Sequence, residues 1–246
     1  MKQLVAYITA GFPDKNFSLD LVDTLLESGV DKLELGIPFS DPVADGPIIE
    51  VANLKALQNG FKIDTLFEMS KIIAPRIETY WMGYFNPFYH RGLENFAKKA
   101  QEFGVKGFIV PDLPHEEAFP FVPLMRQHHT AFISFVAPTD SKERIATVVK
   151  NAQEFIYLVA YAGITGSGVS EDLSKTIEHI KASSQIPLFV GFGVNEKTAK
   201  EKVKGVDGVI VGSAFVEVLL DESLSPSQKI AKIAQIAQNI KEKINS

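Results

Sequence analysis

Short apolar runs recur along the chain and are separated by segments in which apolar residues return at helical spacing. Most of the runs are continuously apolar instead of alternating with polar residues, which is typical of parallel strands covered on both faces. Eight runs of this kind occur, at residues 4–9, 32–35, 78–82, 107–110, 131–137, 155–160, 187–191 and 208–212. The pattern therefore predicts eight parallel strands.

Amphipathic segments fill most of the gaps between these runs. They predict helices at residues 17–28, 93–103, 143–152, 173–183, 197–204 and 227–243. A strand followed by a helix, repeated eight times, is the pattern of a (β/α)8 TIM barrel. A doubly wound sheet shares the alternation, but it usually has fewer strands and a G-x-G-x-x-G loop after the first one. Residues 9–13 (Thr-Ala-Gly-Phe-Pro) lack that loop, so the sequence favours a single α/β barrel domain spanning residues 1–246.

The composition narrows the class of protein further. A chain of 246 residues is long enough for one such barrel. Its formal net charge of −5 and its lack of basic blocks disfavour a nucleic-acid or anionic-membrane binder. The absence of cysteine excludes thiolate catalysis and disulfides, and the histidines show no ligand spacing, so no metal site is expected. The sequence has no signal peptide and no run of about 18 apolar residues, which predicts a cytoplasmic protein.

Candidate catalytic residues follow the second strand, because the active site of a barrel is built at the C-terminal ends of its strands. Glu34 lies between two leucines; if the leucines face the helices, Glu34 faces the barrel interior. Burial would raise the pKa of such a carboxyl and suit it to general acid catalysis, although a satisfied structural glutamate fits the pattern equally well. The loop at residues 37–47 contains three prolines, Asp41 and Asp45, so it is expected to be rigid. Its aspartates are either turn residues or a second catalytic carboxylate.

Glycines after later strands indicate a second functional region. The loop at residues 161–169 has three glycines and is expected to be mobile, as a lid or an anion-binding loop. Gly193 and Gly212 lie at the ends of the seventh and eighth strands, and Ser213 opens a short helix. Glycines in these two loops beside a helix N-terminus are typical of phosphate sites in such barrels, whereas either glycine alone fits an ordinary tight turn.

Residues 33–47 (Leu-Glu-Leu-Gly-Ile-Pro-Phe-Ser-Asp-Pro-Val-Ala-Asp-Gly-Pro) resemble the signature of the tryptophan synthase α subunit family. Shorter matches follow in order through the whole chain, at residues 7–11, 82–87, 111–114, 137–139, 163–166, 191–193 and 212–213. The resemblance implies a carbon–carbon lyase of tryptophan biosynthesis that cleaves indole-3-glycerol phosphate to indole and glyceraldehyde 3-phosphate. It also implies a (β/α)8 barrel, in agreement with the strand count.

The resemblance implies roles for individual residues. Glu34 matches the glutamate that protonates indole C3 and takes the proton of the adjacent glycerol hydroxyl. Asp45 matches the aspartate that accepts a hydrogen bond from the indole N–H, and Tyr157 matches a tyrosine beside the glutamate. The remaining matches are phosphate-binding residues (Gly166, Gly193, Gly212, Ser213), indole-pocket residues (Tyr7, Ile109, Thr165, Phe192) and partner-interface residues (Pro38, Asp41).

The resemblance further implies a partner, the β subunit, in an α2β2 heterotetramer in which indole passes to that subunit. Pyridoxal phosphate is expected in the β subunit, and no cofactor in this chain. Three alternatives stay open: a lyase that releases indole without a partner, a non-catalytic barrel that regulates a partner, and another phosphate-binding barrel. A Schiff-base aldolase is disfavoured, because the only lysine in the predicted strands, Lys32, lies at the N-terminal end of its strand.

Three departures accompany the resemblance, of which Phe12, in place of the acidic residue often found after Gly11, has no assigned role. The chain starts almost at its first strand, where family members usually have a further helix, so the bottom of the barrel is expected to be more open or plugged by another segment. Ala160 and Tyr161 stand where some members have serine and arginine, so the loop at residues 161–169 is expected to close with different contacts.

Overall fold

Nine short parallel strands form the sheet of the computed structural model, which describes residues 1–159 and 173–246. The strands are β1 (Gln3–Thr9), β2 (Lys32–Gly36), β3 (Glu78–Met82), β4 (Gly107–Ile109), β5 (Ala131–Phe132), β6 (Ser134–Val136), β7 (Ile156–Val159), β8 (Leu188–Gly191) and β9 (Gly208–Val211). Their order in the sheet is β5-β4-β3-β2-β1-β9-β8-β7-β6. The two edge strands, β5 and β6, are consecutive in the sequence, so the sheet closes into a barrel.

Ile133 divides the single strand predicted at residues 131–137 into β5 and β6. Its N–H donates a hydrogen bond to the carbonyl of Phe108 in β4 at 2.9 Å, while the next residue, Ser134, pairs with Ile156 of β7. The same segment therefore changes pairing partner from one side to the other and joins the two edges. The predicted (β/α)8 barrel is confirmed, with its fifth strand in two pieces.

The paired residues reveal the stagger of the barrel. Residues paired across successive strands form a row around the barrel. The row that starts at Phe135 of β6 passes through β7, β8 and β9 and ends at Gln3 of β1. The row that contains Tyr7, further along β1, runs through β2, β3 and β4 to Ala131, which precedes Phe135 in the fifth strand. One circuit thus displaces the register by about eight residues, the shear expected for this kind of barrel.

Helices cover the outside of the barrel. They are α1 (Lys15–Glu27), α2 (Pro47–Gln58), α3 (Ile63–Ile73), α4 (Phe85–Arg91), α5 (Leu93–Phe103), α6 (His115–Ala118), α7 (Val122–Gln127), α8 (Lys142–Val149), α9 (Ser174–Ser183), α10 (Ala199–Lys202), α11 (Ser213–Leu220) and α12 (Pro226–Lys243), with a 3-10 helix at Phe119–Phe121. None of the helices in the described part of the chain is long and apolar enough to cross a membrane.

Two of these helices, α2 and α3, lie between β2 and β3, where the sequence pattern predicts none. In α2 the exposed Val51 and Leu54 stand beside the buried Ala52 and Ala56. Apolar residues are therefore not confined to one side of the helix, and no amphipathic stripe marks it in the sequence.

Side-chain caps determine where three of the predicted helices begin. Asp14 accepts a hydrogen bond from the backbone N–H of Phe17 at 2.9 Å at the start of α1. Ser141 caps α8, and Ser225 caps α12 in a capping box with Gln228. Each cap satisfies an N–H that has no partner within its helix and contributes about 1 kcal/mol. The helices therefore start one or two residues before the apolar pattern does.

The N-terminal end of the barrel, its bottom, is filled by side chains that lie in the strands or directly before them. Tyr80, Phe155 and Phe189 are fully buried there, and their rings contact one another through Phe155 at centroid distances of 5.1 and 4.9 Å. The Tyr80 hydroxyl donates a hydrogen bond to Glu154 at 3.0 Å. Lys32 lies over the Tyr80 ring, and burial lowers its pKa. The interior of this end is therefore filled by aromatic side chains of the barrel itself.

Candidate active site

A cavity of about 270 Å³ opens at the C-terminal ends of the strands. Most of the described residues that the sequence singled out as catalytic, phosphate-binding or pocket residues meet in its wall: Glu34, Asp45, Tyr157, Tyr7, Phe192, Gly193, Gly212 and Ser213. They come from five strands or their following loops, which are far apart in the sequence. The fold therefore assembles one site from separate segments, as expected at this face of a barrel.

Glu34 is buried inside the barrel on β2, with 1% of its surface exposed. Its neighbours Leu33 and Leu35 are also buried, and because side chains alternate along a strand they face the helices. Burial, and secondly the negative charge of Asp45, raise the pKa of Glu34 to about 8. The Oε1 atom has no hydrogen-bond partner among the described residues. Glu34 therefore carries a proton at neutral pH and has an oxygen free to exchange one.

Asp45 lies in the loop between β2 and α2 and projects over the same cavity. The side-chain amide of Asn53 donates a hydrogen bond to its Oδ2 atom at 3.2 Å. Burial raises the pKa of Asp45 to about 6, although hydrogen bonds from Tyr84 and Asn53 act in the opposite direction. Asp45 is consequently ionised in most molecules at pH 7, when Glu34 is still protonated.

Two buried tyrosines stand on either side of the carboxyl groups. Tyr7 extends from β1 over Gly36, and Tyr157 extends from β7 over Gly191. The ring of Tyr157 also stacks on Phe135 with a centroid distance of 4.9 Å. Burial is the main cause that raises the pKa of both tyrosines. The second cause is the negative charge of Asp45 for Tyr7 and that of Glu34 for Tyr157. Both hydroxyls therefore stay protonated and can donate hydrogen bonds.

Backbone groups form the other end of the cavity. Phe192 and Gly193, after β8, have φ angles of +72° and +67°, a region that favours glycine and is strained for phenylalanine. Gly212 caps α11 without a side-chain hydrogen bond, and Ser213 begins that helix in the cavity wall. A helix N-terminus with free N–H groups beside a glycine turn is suited to binding an anion.

Some sequence-predicted residues lie elsewhere. Ile109 is fully buried in β4 and does not line the cavity; its register neighbour Met82 does. Pro38 is buried within the chain, whereas Asp41 of the same loop is exposed. Thr165 and Gly166, together with the loop expected to be mobile, lie outside the described residues.

The sequence pattern did not indicate several residues that the structure places at the site. Ile48 and Ile49 of α2 form part of the cavity wall, and Asn53 of the same helix holds Asp45. The hydrophobic pattern did not indicate these residues, because it does not predict the helix α2 to which they belong. Tyr84 contacts the loop that carries Asp45. It follows the third strand, so its position at the C-terminal face was a usable signal.

A larger cavity, of about 380 Å³, lies between α7 and α8 on the outer side of β5 and β6. No aspartate or glutamate occurs among the described residues that line it, so it has no counterpart of the Glu34–Asp45 pair. Within residues 1–159 and 173–246, no group of three or more histidines, aspartates or glutamates is placed to hold a metal ion.

Comparison with known proteins identifies the family. A sequence model described as tryptophan synthase alpha chain matches residues 1–245. The chain belongs to the tryptophan synthase alpha chain family. The tryptophan synthase alpha chain of Wolinella succinogenes is 59% identical over 247 aligned residues, which cover 100% of this chain and 97% of that one.

Solved structures support the same family. A ligand-free form of M. tuberculosis tryptophan synthase has a TM-score of 0.88 at 30% identity, covering 100% of this chain and 94% of the other. The tryptophan synthase subunit alpha of Campylobacter jejuni has a TM-score of 0.86 at 36% identity, covering 97% and 95%. The tryptophan synthase alpha fold thus extends over the whole chain.

Family membership settles the type of reaction. The chain is a carbon–carbon lyase of tryptophan biosynthesis, and its reaction is the cleavage of indole-3-glycerol phosphate to indole and glyceraldehyde 3-phosphate. Alpha chains of the tryptophan synthase family work with a β subunit, which is the subunit that holds pyridoxal phosphate.

Proposed function

We propose that Glu34 and Asp45 divide this cleavage between them, with Glu34 moving protons and Asp45 holding the indole nitrogen. The observation that carries the proposal is the contrast between two carboxyl groups in one cavity. Glu34 has a pKa of about 8 and keeps its proton near neutral pH, whereas Asp45, with a pKa of about 6, loses it. Two carboxyl groups with separated pKa values are suited to different roles in one reaction.

Protonated Glu34 supplies the proton that indole C3 needs before its bond to the glycerol chain can break. The resulting carboxylate then takes the proton of the hydroxyl on the adjacent glycerol carbon as that carbon becomes an aldehyde. The electrons of the broken bond return to the indole ring. Glu34 therefore ends the cycle protonated, and no outside proton donor is required.

Ionised Asp45 accepts a hydrogen bond from the indole N–H. Protonation at C3 places positive charge on the indole nitrogen, and a carboxylate beside that nitrogen stabilises the indolenine-like intermediate. The hydroxyl of Tyr157, which stays protonated, lies near Glu34 and is suited to donate a hydrogen bond as the glutamate becomes charged.

The two ends of the cavity fit the two ends of the substrate. We assign the phosphate to the backbone of Gly193 and Gly212 and to Ser213, with Gly166 joining from its loop. The indole ring is assigned to the apolar end, with Tyr7, Phe192 and Thr165 as the expected surroundings. Ile109 was also expected there, but Met82 lines the cavity in its place. Binding energy from the phosphate handle fixes the reacting carbon against the two carboxyl groups.

We assign the loop at residues 37–47 to the contact with the β subunit, in an α2β2 complex that receives indole from this chain. Asp41 is exposed and available for a charged contact, and Val43 beside it is 83% exposed. Pro38 is buried, so its contribution is to shape the loop. We place this single-domain chain in the cytoplasm, where it needs no cofactor of its own because pyridoxal phosphate acts in the β subunit.

The direct test is incubation of the purified chain with indole-3-glycerol phosphate and measurement of released indole, with and without a tryptophan synthase β subunit. We expect slow release by the chain alone and faster turnover with the β subunit. High activity that the β subunit leaves unchanged would contradict the assigned partnership.

The roles of the carboxyl groups are tested by Glu34→Gln. Loss of the general acid is expected to lower indole release by about a hundredfold or more, while a phosphate-bearing substrate analogue still binds. Glu242→Gln, which changes an exposed glutamate on α12, is the matched control and should keep full activity. Full activity of Glu34→Gln would refute the assigned mechanism.

A further inference from the structure

Tyr84 connects two parts of the loop that carries Asp45. It is 3% exposed and precedes α4, directly after β3. The ring of Phe39 stacks on it, with centroids 5.3 Å apart and an angle of 27° between the ring planes. The backbone N–H of Ala44 donates a hydrogen bond to the Tyr84 hydroxyl at 3.0 Å. One tyrosine therefore holds the beginning of the loop by its ring and the end by its hydroxyl.

We propose that Tyr84 is a positioning residue for Asp45, which orients the carboxylate by a hydrogen bond from its hydroxyl and fixes the backbone beside it. The inference rests on the proposed role of Asp45. A phenol has one hydrogen and can also accept hydrogen bonds. Since its oxygen accepts from Ala44, its own hydrogen is free for the neighbouring carboxylate.

The electrostatics of the two groups agree with this geometry. The hydrogen bond from Tyr84 lowers the pKa of Asp45 and so opposes the effect of burial. Burial, and next the charge of Asp45, raise the pKa of Tyr84, which keeps the hydroxyl protonated as a donor. The two shifts are those of a hydroxyl that donates to an ionised carboxylate.

Asp45 is then held from two sides. Asn53 donates from α2 at 3.2 Å, and the proposed hydrogen bond from Tyr84 comes from the segment after β3, where Tyr84 acts to lower the pKa of Asp45. Helix α2 packs against β1 and α11, so contacts outside the loop help to fix the position of Asn53. A carboxylate that accepts hydrogen bonds from two fixed donors keeps one orientation. Asp45 needs a fixed orientation to accept a hydrogen bond from the indole N–H.

The test is Tyr84→Phe, which removes the hydroxyl and keeps the ring that stacks on Phe39. We expect kcat for cleavage of indole-3-glycerol phosphate to fall by about tenfold or more and KM to change little. The acid limb of the pH profile should move to higher pH, because Asp45 has lost a donor to its ionised form. Tyr89→Phe is the matched control, since Tyr89 lies on α4 and is 68% exposed; it should change neither quantity.

A readout without turnover separates this inference from the proposed function. The carboxyl carbon of Asp45 can be titrated by 13C NMR in the ligand-free chain, and Tyr84→Phe should raise the pKa that it reports. An unmoved titration together with kcat within about twofold of the parent would overturn the inference and leave Tyr84 as a packing residue. A parent chain that releases no indole would instead refute the proposed function, while the titration still tests Tyr84.

Discussion

Two ring carbons of Tyr157, Cε1 and Cζ, lie 2.5 Å from the position that a Cβ atom would take on Gly191. Tyr7 stands in the same relation to Gly36, with two of its ring carbons at 2.5 Å. In both pairs a tyrosine of one strand occupies the space left by a glycine of a neighbouring strand. The missing side chain of glycine is what allows each ring to lie flat against the barrel wall at the cavity.

Gly191→Ala is therefore expected to displace the Tyr157 ring. Overpacking of this kind costs about 1–3 kcal/mol of the free energy of unfolding, and indole release should fall because Tyr157 leaves its position beside Glu34. The measurement is urea unfolding of Gly191→Ala, Tyr157→Ala and the double variant. The double variant should be more stable than the sum of the single effects predicts; additive effects would show that the two residues do not compete for space.

The buried Glu34 should make stability depend on pH in a defined direction. Its ordinary pKa is 4.5 and its pKa in the fold is about 8, so between these values the unfolded chain loses a proton that the folded chain keeps. The free energy of unfolding of the parent therefore falls as pH rises through this window, by on the order of a few kcal/mol, and the cost is absent below it.

Glu34→Gln removes that dependence, because glutamine is uncharged in both states. The variant should gain stability relative to the parent as the pH rises from about 5 to about 8. Urea unfolding at a series of pH values measures the difference. A difference that stays constant with pH would mean that Glu34 is not protonated in the fold.

The same two carboxyl groups predict a bell-shaped pH profile of kcat/KM for indole-3-glycerol phosphate. Activity requires ionised Asp45, which is lost as pH falls through about 6, and protonated Glu34, which is lost as pH rises through about 8. The phosphate ester itself titrates at about pH 6, so Asp45→Asn is needed as a comparison. If the acid limb keeps its shape and position in that variant, the limb belongs to the substrate.

Asp31 is expected to matter for stability and not for catalysis, since it lies at the opposite end of the barrel. Its carboxylate accepts hydrogen bonds from the backbone N–H of Leu4 at 2.6 Å and from Lys241 of α12 at 2.5 Å. Asp31→Ala leaves the buried N–H without a partner and should cost about 1–3 kcal/mol. Asp20→Ala, an exposed change on α1, is the control. If indole release falls in Asp31→Ala while the chain stays folded, Asp31 contributes to catalysis and the prediction is wrong.

The eight strand units of the barrel and the positions of Glu34 and Asp45 could be predicted from the sequence, because both depend on local order. A continuous apolar run indicates a strand covered on two faces, and a residue at its end lies at the catalytic face once the strands close into a barrel. The resemblance of residues 33–47 to a known family added the roles of the two carboxyl groups, and the family is confirmed.

What holds Asp45 was decided only by tertiary structure. Asn53 belongs to α2, a helix whose apolar residues mark no single face, and Tyr84 comes from another strand unit. The burial of Pro38 and the placement of Met82 in the cavity wall where Ile109 was expected likewise depend on how separate elements pack. Sequence order specifies which element a residue belongs to, whereas the direction of a side chain and its partners depend on contacts between residues far apart in the chain.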